Sequence, residues 1–375
     1  MEETKKTSLV PIAIVVLVVI ALIFISVFNT SNKGYKIGAV VALTGNNSGY
    51  GQAAQKGMDL AIEELNKDGK KIDVVYEDET SSPDGAIKAF QKLISVDRVP
   101  VAIGFMASNS TLAAAPIANS SKVVELSTLA GSDDIKNAGD YVFRIRESSA
   151  SHGTEMAKYA KNILKYDSVA MFYANAANGI SYADYFKAEF ISLGGKIVLD
   201  QKYAEKSADF RSDLLKIKAL KPQAVYIAGV APDMAQILVQ AKEIGLKTQW
   251  LASAGAENPK LIEIAKNAAE GLIFTTPAFN PDQANSSVQK FTEAYVKKYN
   301  EKPNFVAANG YDGIMLIYQV IKKYGYGAEN IKNGLYATKD FPGVGGTFSF
   351  DSFGEVQKTI MFKTVKDGQF VPLAN

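Results

Sequence analysis

Residues 35–66 read YKIGAVVALTGNNSGYGQAAQKGMDLAIEELN and contain three patterns in succession. The run at 35–43 is short and rich in Val, Ile and Ala, which is typical of a strand buried on both faces of a sheet. Residues 44–51 are rich in Gly and Asn, so we expect a loop in which positive φ is accessible. From Gln52 onward, apolar residues recur at helical spacing. The segment therefore predicts a buried strand, a glycine-rich loop and a helix N-terminus at the edge of the sheet where α/β folds bind ligands.

The same alternation of strand, loop and helix continues along the chain and then restarts near residue 150. This rhythm is typical of doubly wound parallel sheets, and its restart predicts two similar lobes. The pattern places strands at 72–77, 99–104, 123–126, 168–173, 196–203, 224–229 and 271–275. Residues 343–350 and 359–366 are interpreted as a terminal β-hairpin region.

Residues 9–28 form an apolar run that is broken only by Pro11 and Ser26 and is preceded by Lys5 and Lys6. Its length and basic flank favour a membrane-spanning helix with its N-terminus in the cytoplasm. A cleaved signal peptide and a buried core helix are the alternatives. Either of the first two interpretations places the chain from about Gly34 onward outside the cell.

Composition excludes several classes of function. The 375 residues carry a formal net charge of only +2, which argues against a dedicated nucleic-acid surface. The chain has no cysteine and one histidine, His152, so thiol nucleophiles, disulfides and multi-histidine metal sites are absent. We interpret His152 as a surface or hinge residue, and the acidic cluster Glu77, Asp78 and Glu79 as a solvated loop that caps a helix. A metal site or an acid/base pair is the alternative at that cluster.

A polar run, Ser108, Asn109, Ser110 and Thr111, follows the predicted strand at 99–104 and opens an alanine-rich helix. Hydroxyl groups and free backbone N–H groups then converge at a helix N-terminus, where a carboxylate binds favourably. Plain helix capping is the alternative, but one residue would suffice for it. The run therefore predicts a carboxylate-binding site.

Several segments together resemble the type I periplasmic binding proteins, in particular the Leu/Ile/Val-binding protein family of solute receptors for ABC importers. They are KIGAVVALTG with the following GYG, PDGAIKAFQKLI, VAIGFMASNSTLAAAPIA, STLAGSD, YVFRIRES and GVAPDMAQILVQAKEIGLKTQW. The resemblance implies two α/β lobes joined by three crossovers, with a small ligand between them. The expected division is 1–34 for the cytoplasmic stub, anchor and linker, 35–148 plus 277–340 for lobe 1, and 149–276 plus 341–375 for lobe 2.

The resemblance also implies roles for individual residues. Tyr50 matches an aromatic residue of the glycine loop, and Ser108, with Asn109 beside it, matches the serine that binds the ligand carboxylate. The groups that hold the α-ammonium fall near Leu129 and Gly131, where the family's threonine hydroxyl is missing unless Ser132 supplies one. In lobe 2, tyrosines of the family align with Asn178 and Val230, and its ammonium-pairing glutamate aligns with Ala254. Phe305 matches an aromatic residue near the side-chain pocket.

The sequence thus predicts a non-enzymatic, membrane-anchored extracellular receptor without cofactor or metal, which passes a small polar ligand to an ABC permease. A branched-chain or other amino acid is the ligand that the resemblance favours. The loss of the acid at Ala254 weakens that assignment unless Glu257 takes its place, because a buried ammonium needs a carboxylate partner. An amide, a urea-like compound or a carboxylate without an α-amino group is the alternative ligand, and a sensor for a signalling partner is the alternative function.

Overall fold

The computed structural model of the protein describes residues 34–69 and 71–373. Strands and helices alternate along most of this range, as the apolar runs and helical spacings predict. The strands are β1 (Tyr35–Val41), β2 (Ile72–Asp78), β3 (Val101–Gly104), β4 (Val124–Ser127), β5 (Val142–Arg144), β6 (Ser168–Ala174), β7 (Lys196–Tyr203), β8 (Ala224–Ala228), β9 (Gln249–Ala252), β10 (Ile273–Pro277), β11 (Phe341–Gly343), β12 (Gly346–Phe348), β13 (Ile360–Lys366) and β14 (Gln369–Pro372). The helices are α1 (Ser48–Leu65), α2 (Pro83–Ser95), α3 (Ser108–Ser121), α4 (Ser149–Lys158), α5 (Ala177–Ser192), α6 (Arg211–Leu220), α7 (Ala231–Glu243), α8 (Pro259–Ala265), α9 (Ser286–Tyr299), α10 (Phe305–Tyr324) and α11 (Ala328–Tyr336).

Lobe 1 is built on a parallel five-stranded sheet with the order β2-β1-β3-β4-β5. Strand β1 is central, and Ala39, Val40 and Val41 are completely buried, which explains the unbroken apolar run in the sequence. Helices α1, α2, α3, α9, α10 and α11 surround this sheet.

Lobe 2 is built on a seven-stranded sheet with the order β14-β13-β10-β9-β8-β6-β7. Its five parallel strands repeat the order of lobe 1, with β6 in the central position of β1. Strands β13 and β14 extend this sheet with antiparallel pairing. Two similar parallel-sheet lobes are therefore present, as the restart of the pattern predicts.

The chain passes between the two sheets three times. It leaves lobe 1 after β5, returns after β10, and enters the sheet of lobe 2 again between β12 and β13. The carboxyl ends of β1, β3 and β4 and those of β6 and β8 consequently lead into loops that border one cleft. Ligands of open α/β sheets bind at such ends.

Helices α1 and α10 pack with unusually close backbones. A Cβ on Gly57 would lie 1.9 Å from the carbonyl oxygen of Ala307, and one on Gly310 would lie 2.4 Å from that of Ala54. Only glycine permits these approaches. The contact places the first turns of both helices, with Tyr50 and Phe305, at the cleft.

The structure corrects the predicted glycine loop. Helix α1 begins at Ser48 rather than at Gln52, so Gly49 and Gly51 are helical, and only Gly45 of this segment has positive φ, at +82°. A Cβ on Gly51 would lie 2.0 Å from the carbonyl oxygen of Ala42. Gly51 is thus explained by close packing of helix on strand and not by a turn conformation.

The predicted C-terminal hairpin is also wrong in its pairing. Strand β12 pairs with β11, and β13 pairs with β10 and β14. The backbone amides of Val344 and Gly345, between β11 and β12, donate to the Asp312 carboxylate of α10 at 2.7 and 2.8 Å, so the start of the 341–375 segment lies against lobe 1. The exact lobe boundaries remain a prediction.

The proposed membrane-spanning segment, residues 9–28, lies outside the described residues. Within 34–69 and 71–373, no helix combines the length and the apolar character needed to cross a membrane.

Candidate ligand-binding site

A cleft between the two lobes holds about 720 Å³ of space free of protein atoms, part of it open to solvent. Its walls come from both sheets. The residues around it are Asn47, Tyr50, Ser81, Pro83, Met106, Ala107, Ser108, Asn109, Ser110, Leu129, Ala130, Gly131, Arg146, Asn178, Tyr182, Glu205, Gly229, Val230, Ala254, Gly255 and Phe305.

Ser108 is the first residue of α3 and is 2% exposed. Its Oγ accepts hydrogen bonds from the backbone N–H groups of Gly131 and Ser132 at 3.1 and 3.0 Å, so its own proton is free to be donated. Residue 107, which precedes the helix, is alanine and gives no side-chain cap. The N–H groups of the first turn have no acceptor within the helix. This end of the cleft therefore offers a hydroxyl and several amides to an anion.

Tyr50 connects the two lobes. Its hydroxyl donates to the carbonyl of Gly255 at 2.5 Å and accepts from the N–H of Ala231, the first residue of α7, at 3.1 Å. Burial raises the pKa of this phenol, so the hydroxyl stays protonated. The ring thus forms one wall of the cleft while its hydroxyl bridges to lobe 2.

Further hydrogen bonds cross between the lobes beside the cleft. The Oδ1 atom of Asn109 accepts from the N–H of Ala177, at the start of α5, at 3.0 Å. The N–H of Asp133 donates to Ser181 Oγ at 3.1 Å, and Tyr185 donates to the Asp133 carboxylate at 2.6 Å. These bonds join lobe 1 to lobe 2 at the edge of the cleft.

In lobe 2, the predicted residues lie at the first turns that face the cleft. Asn178 is in the first turn of α5, Val230 directly precedes α7, and Ala254 begins a short 3-10 turn after β9. Glu257 does not line the cleft. Its Oε1 atom pairs with Lys363 Nζ at 2.5 Å and Thr276 donates to its Oε2 atom, so this acid is neutralised inside lobe 2. Glu257 is therefore not positioned to replace the acid missing at Ala254.

The sequence model of the family described as "Periplasmic binding protein" matches residues 34–369. The chain belongs to the periplasmic binding protein family. The prediction of a type I periplasmic binding protein related to the Leu/Ile/Val-binding proteins is thereby confirmed, and the family consists of solute-binding proteins.

Three comparisons describe the relatives of this periplasmic binding protein. The leucine-, isoleucine-, valine-, threonine- and alanine-binding protein of Pseudomonas aeruginosa is 26% identical over 329 residues, which is 86% of this chain and 87% of that protein. The crystal structure of LivJ from Streptococcus pneumoniae in complex with isoleucine is 28% identical, has a TM-score of 0.85, and covers 90% of this chain and 98% of its own. A solute-binding protein of an ABC transporter from Rhodopseudomonas palustris, in complex with 3,4-dihydroxybenzoic acid, is 26% identical and has a TM-score of 0.81. The match covers 91% of this chain and 96% of that protein.

The structure of this periplasmic binding protein brings nearly all the predicted site residues together. Tyr50, Ser108, Asn109, Leu129, Gly131, Asn178, Val230, Ala254 and Phe305 all border the cleft. Ser132 does not. It is completely buried, and its hydroxyl donates to Asp134 Oδ2 at 3.2 Å and accepts from the Asp134 N–H at 3.3 Å. Its hydroxyl thus serves the 3-10 turn at Asp133–Asn137 and is not available to a ligand.

Sequence reasoning missed Arg146 and Tyr182. Arg146 lies in the first crossover, is 5% exposed, and donates through Nη1 to the Leu129 carbonyl at 2.8 Å and through Nη2 to the Tyr182 hydroxyl. The segment VFRIR contains two arginines at strand spacing after buried apolar residues, which was a usable signal because buried cations need partners. Arg144 finds such a partner in Glu355.

Two acids of lobe 1 are buried, and one of them, Glu79, contradicts the prediction that the cluster Glu77, Asp78 and Glu79 is a solvated loop. Glu79 is completely buried, and its Oε2 atom accepts from the N–H of Met106 at 3.3 Å. Glu125 of β4 is also completely buried, and its carboxyl oxygens have no hydrogen-bond partner among the described residues. Burial raises the pKa of Glu79 to about 8, and burial together with the charge of Glu79 raises the pKa of Glu125 well above its ordinary range. Burial therefore favours the uncharged form of both acids.

His152 is likewise buried, in the first turn of α4, with its ring centroid 6.0 Å from that of Tyr182. It thus lies next to a crossover, and the prediction of a surface residue is wrong. Within the described part of the chain, no group of three or more His, Asp or Glu side chains is arranged to hold a metal ion.

Proposed function

We propose that this chain is the substrate-binding protein of an ABC importer, which captures a small carboxylate-bearing solute between its two lobes and delivers it to a permease. The observation that carries the proposal is the cleft itself. The N-termini of α3, α5 and α7 converge on it from both lobes, and Ser108 stands at one of them. Helix N-termini favour anions, so they would stabilise the carboxylate end of a ligand.

The hydrogen bonds across the cleft support a closing mechanism. Tyr50 and Asn109 of lobe 1 bind the first residues of α7 and α5 of lobe 2. A ligand that contacts both lobes only in the closed arrangement shifts the equilibrium toward it. The permease would then distinguish the closed, loaded receptor from the open one.

Two classes of ligand share the required carboxylate. One is an α-amino acid, as in the LivJ complex with isoleucine. The other is a carboxylate without an α-amino group, as in the complex with 3,4-dihydroxybenzoic acid. The apolar walls formed by Met106, Leu129 and Phe305 fit the non-polar body of either class.

A location outside the cytoplasm is part of the proposal. Membership of the periplasmic binding proteins supports it, and the apolar run at 9–28 would provide a single-pass anchor.

Binding of small solutes to the full-length chain in mild detergent tests the proposal. A ligand at 100 times its dissociation constant adds about 2.7 kcal/mol to the free energy of unfolding, which a thermal-shift screen detects readily. Solution scattering of the same samples should show a more compact particle with ligand. If no amino acid, carboxylate, amide or extracted cell metabolite stabilises the protein, the proposal is contradicted.

A further inference from the structure

The cleft contains a buried positive charge, Arg146, that has no ion-pair partner among the residues that the structure describes. Arg146 is 5% exposed, and no carboxylate of residues 34–69 or 71–373 forms an ion pair with it within 4.0 Å. Its two recorded acceptors, the Leu129 carbonyl and the Tyr182 hydroxyl, are uncharged, and its Nε has no partner in the described chain. A buried cation without an anion is unfavourable. The missing negative charge is therefore expected to come from the ligand.

The guanidinium lies next to the carboxylate-binding end of the cleft. Gly131 connects the two, since its N–H donates to Ser108 Oγ at 3.1 Å, while a Cβ on Gly131 would lie 2.5 Å from Arg146 Nη1. Any side chain at position 131 would displace the guanidinium. Glycine at this position thus makes room for the arginine beside Ser108.

The same placement leaves an α-ammonium with few partners, because the one carbonyl within its reach is shared with Arg146. An α-ammonium lies one carbon away from its carboxylate, so it would enter the region of Leu129 and Gly131. There the Leu129 carbonyl already accepts a hydrogen bond from Arg146, residue 131 has no side chain, and Ala254 carries no acid. The ammonium would meet a like charge in a partly desolvated site.

The other charged side chain on the wall of the cleft, Glu205, does not compensate Arg146. Its charged neighbours are Asp233 and Lys206, and it lies in an exposed loop after β7. A carboxylate ligand of charge −1 balances Arg146, whereas a zwitterionic amino acid leaves the positive charge uncompensated.

On the basis of the proposed function, we propose that the solute is a small apolar carboxylate without an α-amino group, and that Arg146 selects it. The guanidinium and the Ser108 hydroxyl bind the carboxylate together with the first-turn amides of α3. The aromatic rings of Tyr50, Tyr182 and Phe305 surround the apolar body of the ligand.

Matched pairs of probes test this selectivity in the full-length protein by calorimetry. L-Leucine is compared with 4-methylpentanoate and 4-methyl-2-oxopentanoate, and L-phenylalanine with 3-phenylpropanoate. We expect the carboxylates to bind at least about 100-fold more tightly than the amino acids of the same skeleton, since a buried charge pair contributes on this scale. An amino acid that binds as tightly as its carboxylate analogue overturns the inference.

The outcomes separate this inference from the proposed function. An uncharged amide that binds and closes the lobes would overturn the selection by Arg146 and leave the receptor function intact. If no probe binds and no small molecule co-purifies by native mass spectrometry, the receptor function itself fails.

Arg146→Gln provides a second test, with Arg211→Gln as its control. Arg211, the first residue of α6, is exposed, pairs with Asp209 and Glu243, and does not line the cleft. We expect Arg146→Gln to weaken carboxylate binding about 100-fold and to abolish the preference over amino acids, and the control to change neither. Unchanged selectivity in a folded Arg146→Gln protein contradicts the proposal. Should that variant fail to fold, the selectivity of the unaltered protein still decides.

Discussion

The buried acid at Glu79 predicts that this protein loses stability as the pH rises from mildly acidic to mildly basic values. In the folded protein, burial raises the pKa of Glu79 from 4.5 to about 8, with the Met106 N–H as its recorded hydrogen-bond donor. Between these values the folded state holds a proton that the unfolded state has released. The free energy of unfolding therefore falls as the pH rises through this window.

The magnitude follows from the width of the window. Each pH unit between 4.5 and 8 lowers the free energy of unfolding by about 1.36 kcal/mol, which amounts to about 5 kcal/mol over the whole range. That is a large share of the ~5–15 kcal/mol by which domains are typically stable. Glu125 adds to the effect in the same direction, because its pKa is also raised by burial.

Glu79→Gln tests this reasoning, because glutamine resembles the neutral acid but cannot ionise. We expect urea unfolding at pH 5, 6, 7 and 8, followed by circular dichroism, to show that the free energy of unfolding of the variant depends much less on pH. At pH 5 the variant and the unaltered protein should be nearly equally stable. Trp250 fluorescence reports lobe 2 separately, should the lobes unfold independently.

Glu77→Gln is the matched control. Glu77 lies two residues before Glu79, in β2, and pairs with Lys92 at the surface, so its loss should leave the pH dependence unchanged. If Glu79→Gln keeps the slope of the unaltered protein, Glu79 is not the group that takes up the proton and the reasoning is refuted.

Two further substitutions test the cleft, each by calorimetric Kd with the tightest-binding carboxylate probe and by the free energy of unfolding. Tyr50→Phe removes two hydrogen bonds between the lobes, which together contribute about 1–3 kcal/mol, so Kd should rise about 5- to 150-fold. Tyr326→Phe is the control. It loses one hydrogen bond to Lys36 within lobe 1 and should leave Kd unchanged. Equal Kd values for the two would argue against closure through Tyr50. Ser108→Ala should lower the free energy of unfolding by about 1–3 kcal/mol and also raise Kd at least about tenfold. Ser127 is a buried serine with two comparable hydrogen bonds to the backbone, so Ser127→Ala should lower the free energy of unfolding without changing Kd. An unaltered Kd in Ser108→Ala would remove Ser108 from the site.

The buried charges give the molecule a division of roles. Arg144 and Glu257 each have an opposite charge from the protein, Glu355 and Lys363 respectively, and serve the structure. Arg146 has none among the described residues. A ligand can pair with a charge at a cleft that has no partner in the protein. This property distinguishes Arg146 from Arg144.

Local sequence was sufficient for most of the strands and helices and for the polar run that borders the cleft at Ser108. The buried strand β1, the helix after it and the polar run at Ser108 each depend on residues close together in the chain, where spacing and capping preferences act directly. The resemblance to a family added the positions in lobe 2, such as Asn178 and Val230, which no periodicity indicates.

Tertiary structure alone decided the charge of the cleft and the fate of the acids. Residues distant in the sequence determine whether Arg146 pairs with a carboxylate. The side chain that packs against Gly131 shows that this glycine makes room for the guanidinium of Arg146. Glu79 stands in an acidic run of the sequence, yet it is completely buried and accepts a hydrogen bond from the N–H of Met106 in the β3–α3 loop. Patterns of residues predict which segments are strands and helices because those are local preferences. Burial and electrostatic balance are set by how the two lobes meet, so they became visible only in the folded molecule.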